Sequence, residues 1–119
     1  MATVLIVDDA AFMRLRATKM LVEAGYQVIE AENGRHAVEV YLRERPDCVL
    51  MDITMPEMDG LEALAEIREK DPQARIAMLT AMGQQSIVMD AMKRGARDFI
   101  VKPFAPERVL AAVSRLLAA

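Results

Sequence analysis

The 119-residue chain has no tryptophan, one histidine, one cysteine and only 4% aromatic residues. Each scarcity removes a class of function. Cys48 cannot close an internal disulfide, and its place in the apolar run Cys48-Val49-Leu50-Met51 makes it a small buried hydrophobe rather than a reactive thiol. His36 stands among polar residues of a predicted helix and reads as a surface histidine, not as a metal ligand or phosphodonor. Apolar runs stay well short of the roughly 20 residues a membrane span needs. There is no glycine-rich loop followed by lysine and no G-x-G-x-x-G, so nucleotide binding has no support. An excess of positive charge is also missing: the formal net charge is −3, and no basic face is available to neutralise nucleic-acid phosphates. The N-terminus enters the run Val4-Leu5-Ile6-Val7 without a basic leader or cleavage site, so the expected location is the cytoplasm.

What is present points to one globular domain over residues 1–119, since hydrophobic residues make up 54% and charged residues 28%. Four apolar runs (Val4 to Val7, Cys48 to Met51, Ile76 to Leu79, Phe99 to Val101) lack two-residue alternation and read as strands buried on both faces. Gln27 to Ala31 has polar ends and suits an edge strand. Between them lie stretches of helical spacing: Met13, Ala17, Met20, Leu21 and Ala24; Ala37, Val38, Tyr41 and Leu42; Leu61, Leu64 and Ile67; Val88, Ala91 and Met92; and Val109 through Leu117. Gly25 and Gly95 stand where helix C-termini belong, Asn33 is placed to cap, and Pro106 suits a first helical turn. Strand and helix alternate five times, which predicts a parallel sheet covered by helices on both faces. Methionine, at ten residues, is expected to supply core bulk in place of rings, with a partner-binding face on the fourth helix as the alternative for Met89 or Met92; Arg14, Arg16 and Lys19 form a basic cluster that could help dock an acidic partner or simply be a solvated face.

In an open parallel sheet, ligands bind beyond the carboxyl ends of the strands. Those ends carry Asp8-Asp9, Asp52, Thr80 and Lys102-Pro103. Singly, each has an ordinary explanation: a helix cap for Asp8, Asp9 or Thr80, a turn for Asp52, a surface position for Lys102. Together they place three carboxylates, a hydroxyl and an ammonium on one edge. Crowded carboxylates repel and require protonation or a cation, and an all-oxygen donor set favours a hard ion, Mg²⁺ first with Mn²⁺ as substitute. An ionised Asp52 beside such an ion, with Lys102 opposite, is equipped as a nucleophile for a phosphoryl group.

The segments Ile6-Val7-Asp8-Asp9, Met51 to Gly60, Thr80-Ala81 and Asp98 to Phe104 resemble the receiver domains of response regulators, essentially end to end, and specifically their single-domain chemotaxis branch. The resemblance implies a flavodoxin-like, doubly wound (βα)5 three-layer sandwich with strand order 2-1-3-4-5. It implies that Asp52 is the phosphoacceptor, that Asp9, Asp52 and the Thr54 carbonyl bind Mg²⁺ directly while Asp8 acts through water, and that Lys102, with a cis bond to Pro103, pairs with the phosphoryl oxygens. Thr80 and Phe99 would form the switch, Thr80 moving toward the phosphoryl group and Phe99 turning into the space it leaves. Many relatives have tyrosine where Phe99 stands, so this switch works by packing without a hydroxyl. Thr54 and Met82 flank the path of the hydrolytic water and offer it no carboxylate or amide, so slow self-dephosphorylation is expected. The implied partners are a histidine kinase as phosphodonor and a protein target on the face of the fourth helix, fifth strand and fifth helix, with the chain a monomer. Two other readings compete: the receiver of a multidomain transcriptional regulator, and a Mg²⁺-dependent hydrolase with an aspartyl-phosphate intermediate, disfavoured because the chain leaves no room for a cap over a substrate.

Overall fold

Residues whose side chains alternate across a strand must find apolar partners on both sides, and this sequence supplies them. The computed structural model describes residues 1–81 and 85–118. Its elements run β1 (Thr3–Val7), α1 (Ala11–Glu23), β2 (Gln27–Ala31), α2 (Gly34–Glu44), β3 (Cys48–Asp52), α3 (Gly60–Lys70), β4 (Ile76–Thr80), α4 (Gln85–Lys93), β5 (Asp98–Val101) and α5 (Pro106–Ala118). All strand pairs are parallel, in the order β2-β1-β3-β4-β5. The fold is therefore the doubly wound three-layer sandwich, with the strand order that the resemblance implies.

Two cores lie on opposite faces of the sheet. Leu5, Val7, Val49, Met51, Ile76 and Met78 meet Ala37, Val38 and Tyr41 of α2, Ala63, Leu64 and Ile67 of α3, and Ala91 of α4. The alternate residues Val4, Ile6, Cys48, Leu50, Ala77, Leu79 and Ile100 meet Ala17 and Leu21 of α1 and Val109, Ala112, Val113 and Leu116 of α5. Because α1 and α2 lie on opposite faces, the winding direction reverses between β1 and β3, the place where such sheets open a crevice at their carboxyl edge.

Local chemistry sets the boundaries. Asn33 caps α2 by accepting the His36 N–H at 2.9 Å, and Asp59 caps α3 by accepting the Glu62 N–H at 2.9 Å. Gly25 and Gly95 follow α1 and α4 with φ of +99° and +107°, the left-handed conformation that ends helices. Cys48 is buried, and burial pushes its thiol up to about 12.

Four expectations need correction. β5 is not buried on both faces: Ile100 is buried, but Phe99 and Val101 are 39% and 40% exposed because β5 is an edge strand. Ala24 lies at the exposed C-terminal cap of α1, not on its buried stripe. Methionine fills the core at Met51, Met55 and Met78, yet Met89 and Met92 on α4 are 62% and 41% exposed. Arg14 is not a free docking cation, because its guanidinium donates to the Asp8 carbonyl and pairs with Glu30. Met82, which the sequence places beside the hydrolytic path, lies outside the described residues. Among the described residues no helix is long and apolar enough to cross a membrane.

Candidate functional site

The carboxyl ends of β1, β3, β4 and β5 deliver the polar residues to one place. One carboxylate oxygen from each of Asp8, Asp9 and Asp52 lies within 4.8 Å of the others. Asp8 and Asp52 are buried while Asp9 is exposed, so the group forms a well open on one side. Lys102 Nζ reaches in from the end of β5, 3.1 Å from Asp8 Oδ2 and 3.3 Å from Asp52 Oδ2. Thr80, 1% exposed, ends β4; its hydroxyl donates to the Ala81 carbonyl at 3.0 Å, and its own carbonyl accepts the Lys102 N–H at 2.7 Å. The Lys102-Pro103 bond is cis. Thr54 lies exposed in the loop after β3, and Phe99 stands on β5 with its ring partly in solvent.

Each acidic residue is held differently. Asp8 Oδ1 accepts the Ala10 N–H at 2.9 Å and Oδ2 faces Lys102, so both oxygens are engaged. Arg14 supports the same strand end: its guanidinium donates to the Asp8 carbonyl at 2.6 Å and to Glu30 at 3.2 Å. Asp52 faces Lys102 through Oδ2, and among the described residues no hydrogen bond reaches its Oδ1. Three carboxylates against one ammonium leave excess negative charge in a partly buried well, and every donor is oxygen. That is the donor set of a hard divalent cation.

Burial pushes the Asp52 carboxyl up to about 6; Lys102 works against the shift, while Asp8 and Asp9 add to it by repulsion. For Lys102, burial disfavours the ammonium, but the Asp52 and Asp8 carboxylates outweigh it and hold the group above its ordinary value. The folded protein thus binds the Asp52 proton more tightly than the unfolded chain, whose carboxyl has the ordinary value of 3.8. Stability from this group is complete below that value and is lost as pH rises through about 6. We expect the melting temperature of metal-free Asp52→Asn to exceed that of the parent at pH 7.5, with the gap closing toward pH 4.5. Circular dichroism melts of both proteins across that range check this; a gap independent of pH would contradict it.

The profile described as "Response regulator receiver domain" matches residues 4–114. The chain belongs to the response regulator receiver family. Chemotaxis protein CheY of Bacillus subtilis (strain 168) is 60% identical to this receiver over 115 residues, covering 96% of each chain. CheY of Thermotoga maritima is 56% identical over 114 residues, covering 95% of each. In the CheX-CheY-BeF3-Mg²⁺ complex from Borrelia burgdorferi, a chain 39% identical to this one superposes with a TM-score of 0.92, over 97% of this chain and 88% of that one.

Several features of this receiver are not evident from composition or periodicity. The backbone of Phe99 is fastened on both sides: its N–H donates to Asp98 Oδ1 at 2.8 Å and its carbonyl accepts from Arg108 of α5 at 2.6 Å. Asp98 also pairs with Arg108 at 3.1 Å and with Arg115 at 3.3 Å. These contacts satisfy backbone groups on the open edge of the sheet, where an unpaired strand would otherwise invite another chain. Gly60 lies so close to β3 that an added Cβ would sit 2.1 Å from the Asp52 carbonyl oxygen. The Asp59 cap had a legible signal in Asp59-Gly60-Leu61-Glu62, the spacing of a capping box.

Proposed function

We propose that the chain is a single receiver domain, residues 1–119, that acts as a phosphorylation-activated switch in chemotaxis. Asp52 accepts a phosphoryl group from a phosphohistidine of a histidine kinase in a Mg²⁺-dependent reaction. The exposed face of α4, β5 and α5 then binds a protein target at the flagellar motor. The observation that carries this reading is the convergence of three carboxylate oxygens within 4.8 Å, two of the acids sharing Lys102. The 60% identity to the chemotaxis protein CheY of Bacillus subtilis supports the chemotaxis reading.

The chemistry follows from the residues. Asp9 and Asp52 with the Thr54 carbonyl would hold Mg²⁺, and Asp8 would act through a bound water; Mn²⁺ would substitute. The ion supplies neutralisation of the carboxylates and of the incoming phosphoryl oxygens. The free Asp52 oxygen attacks phosphorus, a P–O bond forms as the P–N bond to imidazole breaks, and the leaving imidazole is left with its ring nitrogen free. Lys102 turns its ammonium from the carboxylates to the phosphoryl oxygens. Thr80 exchanges its bond to the Ala81 carbonyl for one to the phosphoryl group, and Phe99 moves inward. A few kcal/mol of bias is enough to shift such a two-state equilibrium. Small phosphodonors serve in place of the kinase, self-dephosphorylation is slow, and there is no turnover of an external substrate. The protein acts as a cytoplasmic monomer.

The cellular test is complementation. In Bacillus subtilis lacking its own CheY, this chain should restore chemotactic spreading on soft agar, and Asp52→Asn at equal abundance should not. Equal restoration by both would remove phosphorylation from the mechanism.

A further inference from the structure

The loop from Ile53 to Asp59 joins β3 to α3 and carries Thr54. It is closed at its base, where the Gly60 N–H donates to the Ile53 carbonyl at 2.7 Å. Its far end is held by a different element. The N–H of Gly34, first residue of α2, donates to the Met58 carbonyl at 2.9 Å, and Asn33 Nδ2 donates to Glu57 at 3.3 Å. An added Cβ on Gly34 would lie 2.2 Å from the Met58 carbonyl oxygen, 2.8 Å from its carbon and 2.9 Å from the Asp59 carbonyl oxygen. All three are backbone atoms, so no rotamer change can relieve the clash. Within the tied segment Glu57 has φ of +68°, a conformation that persists only where its surroundings enforce it. Gly34 itself is helical and has no such need; its lack of a side chain is required by proximity alone.

We propose that Gly34 is a positioning residue for the phosphorylation site: by letting α2 approach Met58, it fixes the loop that presents the Thr54 carbonyl beside Asp52. The inference rests on the functional reading above. An alanine at 34 must push the loop outward by roughly 1 Å, and a misplacement of that size at a reacting centre can cost up to about 100-fold in rate. Helix α2 is thereby coupled to a site that none of its side chains enters.

The test compares the parent with Gly34→Ala, Asn33→Ser and Gly25→Ala. Serine at 33 keeps a helix cap but removes the amide donor to Glu57. Gly25 has positive φ and no atom within 4 Å of a built Cβ, so alanine there destabilises the fold far from the loop. Two quantities are read for each: the Mg²⁺ midpoint, meaning the concentration that half-fills the native state as fitted from the logarithmic rise of melting temperature with metal, and the rate of acetyl phosphate labelling at saturating Mg²⁺ by intact mass. Gly34→Ala should raise the Mg²⁺ midpoint about tenfold and slow labelling by about tenfold or more. Asn33→Ser should shift both in the same direction by less, and Gly25→Ala should lower the melting temperature with the midpoint unchanged. A Gly34→Ala midpoint equal to the parent's overturns the proposal, as does a Mg²⁺ midpoint that moves equally in Gly25→Ala. If Gly34→Ala does not fold, Asn33→Ser decides, and an unchanged midpoint there overturns it. A parent protein whose melting ignores Mg²⁺ overturns the functional reading and this inference with it, before any variant is compared.

Discussion

Incubation with acetyl phosphate and Mg²⁺ at pH 7.5 should add one phosphoryl group to the protein, and Asp52→Asn should slow that addition by at least about a thousandfold. Three carboxylates share the well, and their surroundings distinguish them. Asp8 is 2% exposed and has both oxygens committed, one to the Ala10 N–H and one to Lys102. Asp9 is exposed, where a carboxylate has little to hold an acceptor in line. Asp52 combines burial with an oxygen that no hydrogen bond among the described residues occupies. Its carboxyl, raised to about 6, is still largely ionised at pH 7.5, so the nucleophile is present. Intact mass with and without chelator reads the yield, and peptide mapping locates the group. Undiminished labelling of Asp52→Asn would move the acceptor elsewhere and end the proposal.

Replacement of Lys102 should produce the second largest effect, visible in both stability and chemistry. In Lys102→Met, the Asp8 and Asp52 side chains, 3% and 12% exposed, lose the only cation paired with them among the described residues. Breaking a fully buried pair costs about 3–5 kcal/mol. Because the lysine side chain keeps 22% of its surface in water, roughly 2 kcal/mol is the better expectation, measured by urea unfolding without metal. The Asp52 carboxyl should move further upward, since the lysine is what opposes the desolvation. Mg²⁺ should then stabilise the variant more than the parent, because it supplies the missing positive charge. Labelling by acetyl phosphate should fall by about 100-fold even at saturating Mg²⁺, through loss of the group that meets the phosphoryl oxygens. Arginine should not restore it, because a planar fork cannot replace a compact ammonium in a space shared by two carboxylates. A Met variant that unfolds like the parent and labels at the parent rate would show that Lys102 only decorates the rim.

Much of the architecture was legible because it is written locally. The polar ends of β2 suit a sheet edge, and the structure puts it there with the expected limits, Gln27–Ala31. β5 departs from the expected burial for an equally physical reason. Phe99-Ile100-Val101 is as apolar as a central strand, but among the described residues it has a neighbouring strand on one side only, and two of these three side chains keep some 40% exposure. An apolar run reports what could be buried, not what arrives to cover it. Helix α1 teaches the same: Phe12, Leu15 and Val22 are 67%, 64% and 55% exposed, beside a buried stripe of only Ala17 and Leu21. Arg14 could be read only as one charge in a basic cluster, since its partners lie on the ends of β1 and β2.

The sequence by itself determined the alternation of five strands with five helices and the chemistry at each strand end, because periodicity, caps and turn residues act over a few neighbouring positions. Tertiary structure alone decided which carboxylate keeps an open oxygen, what Lys102 and Arg14 hold, and why residues 34 and 60 must lack a side chain. Those outcomes depend on atoms far apart along the chain, such as Lys102 and Asp8, separated by 94 positions and joined at 3.1 Å. Contacts of that range exist only once the sheet has set its register.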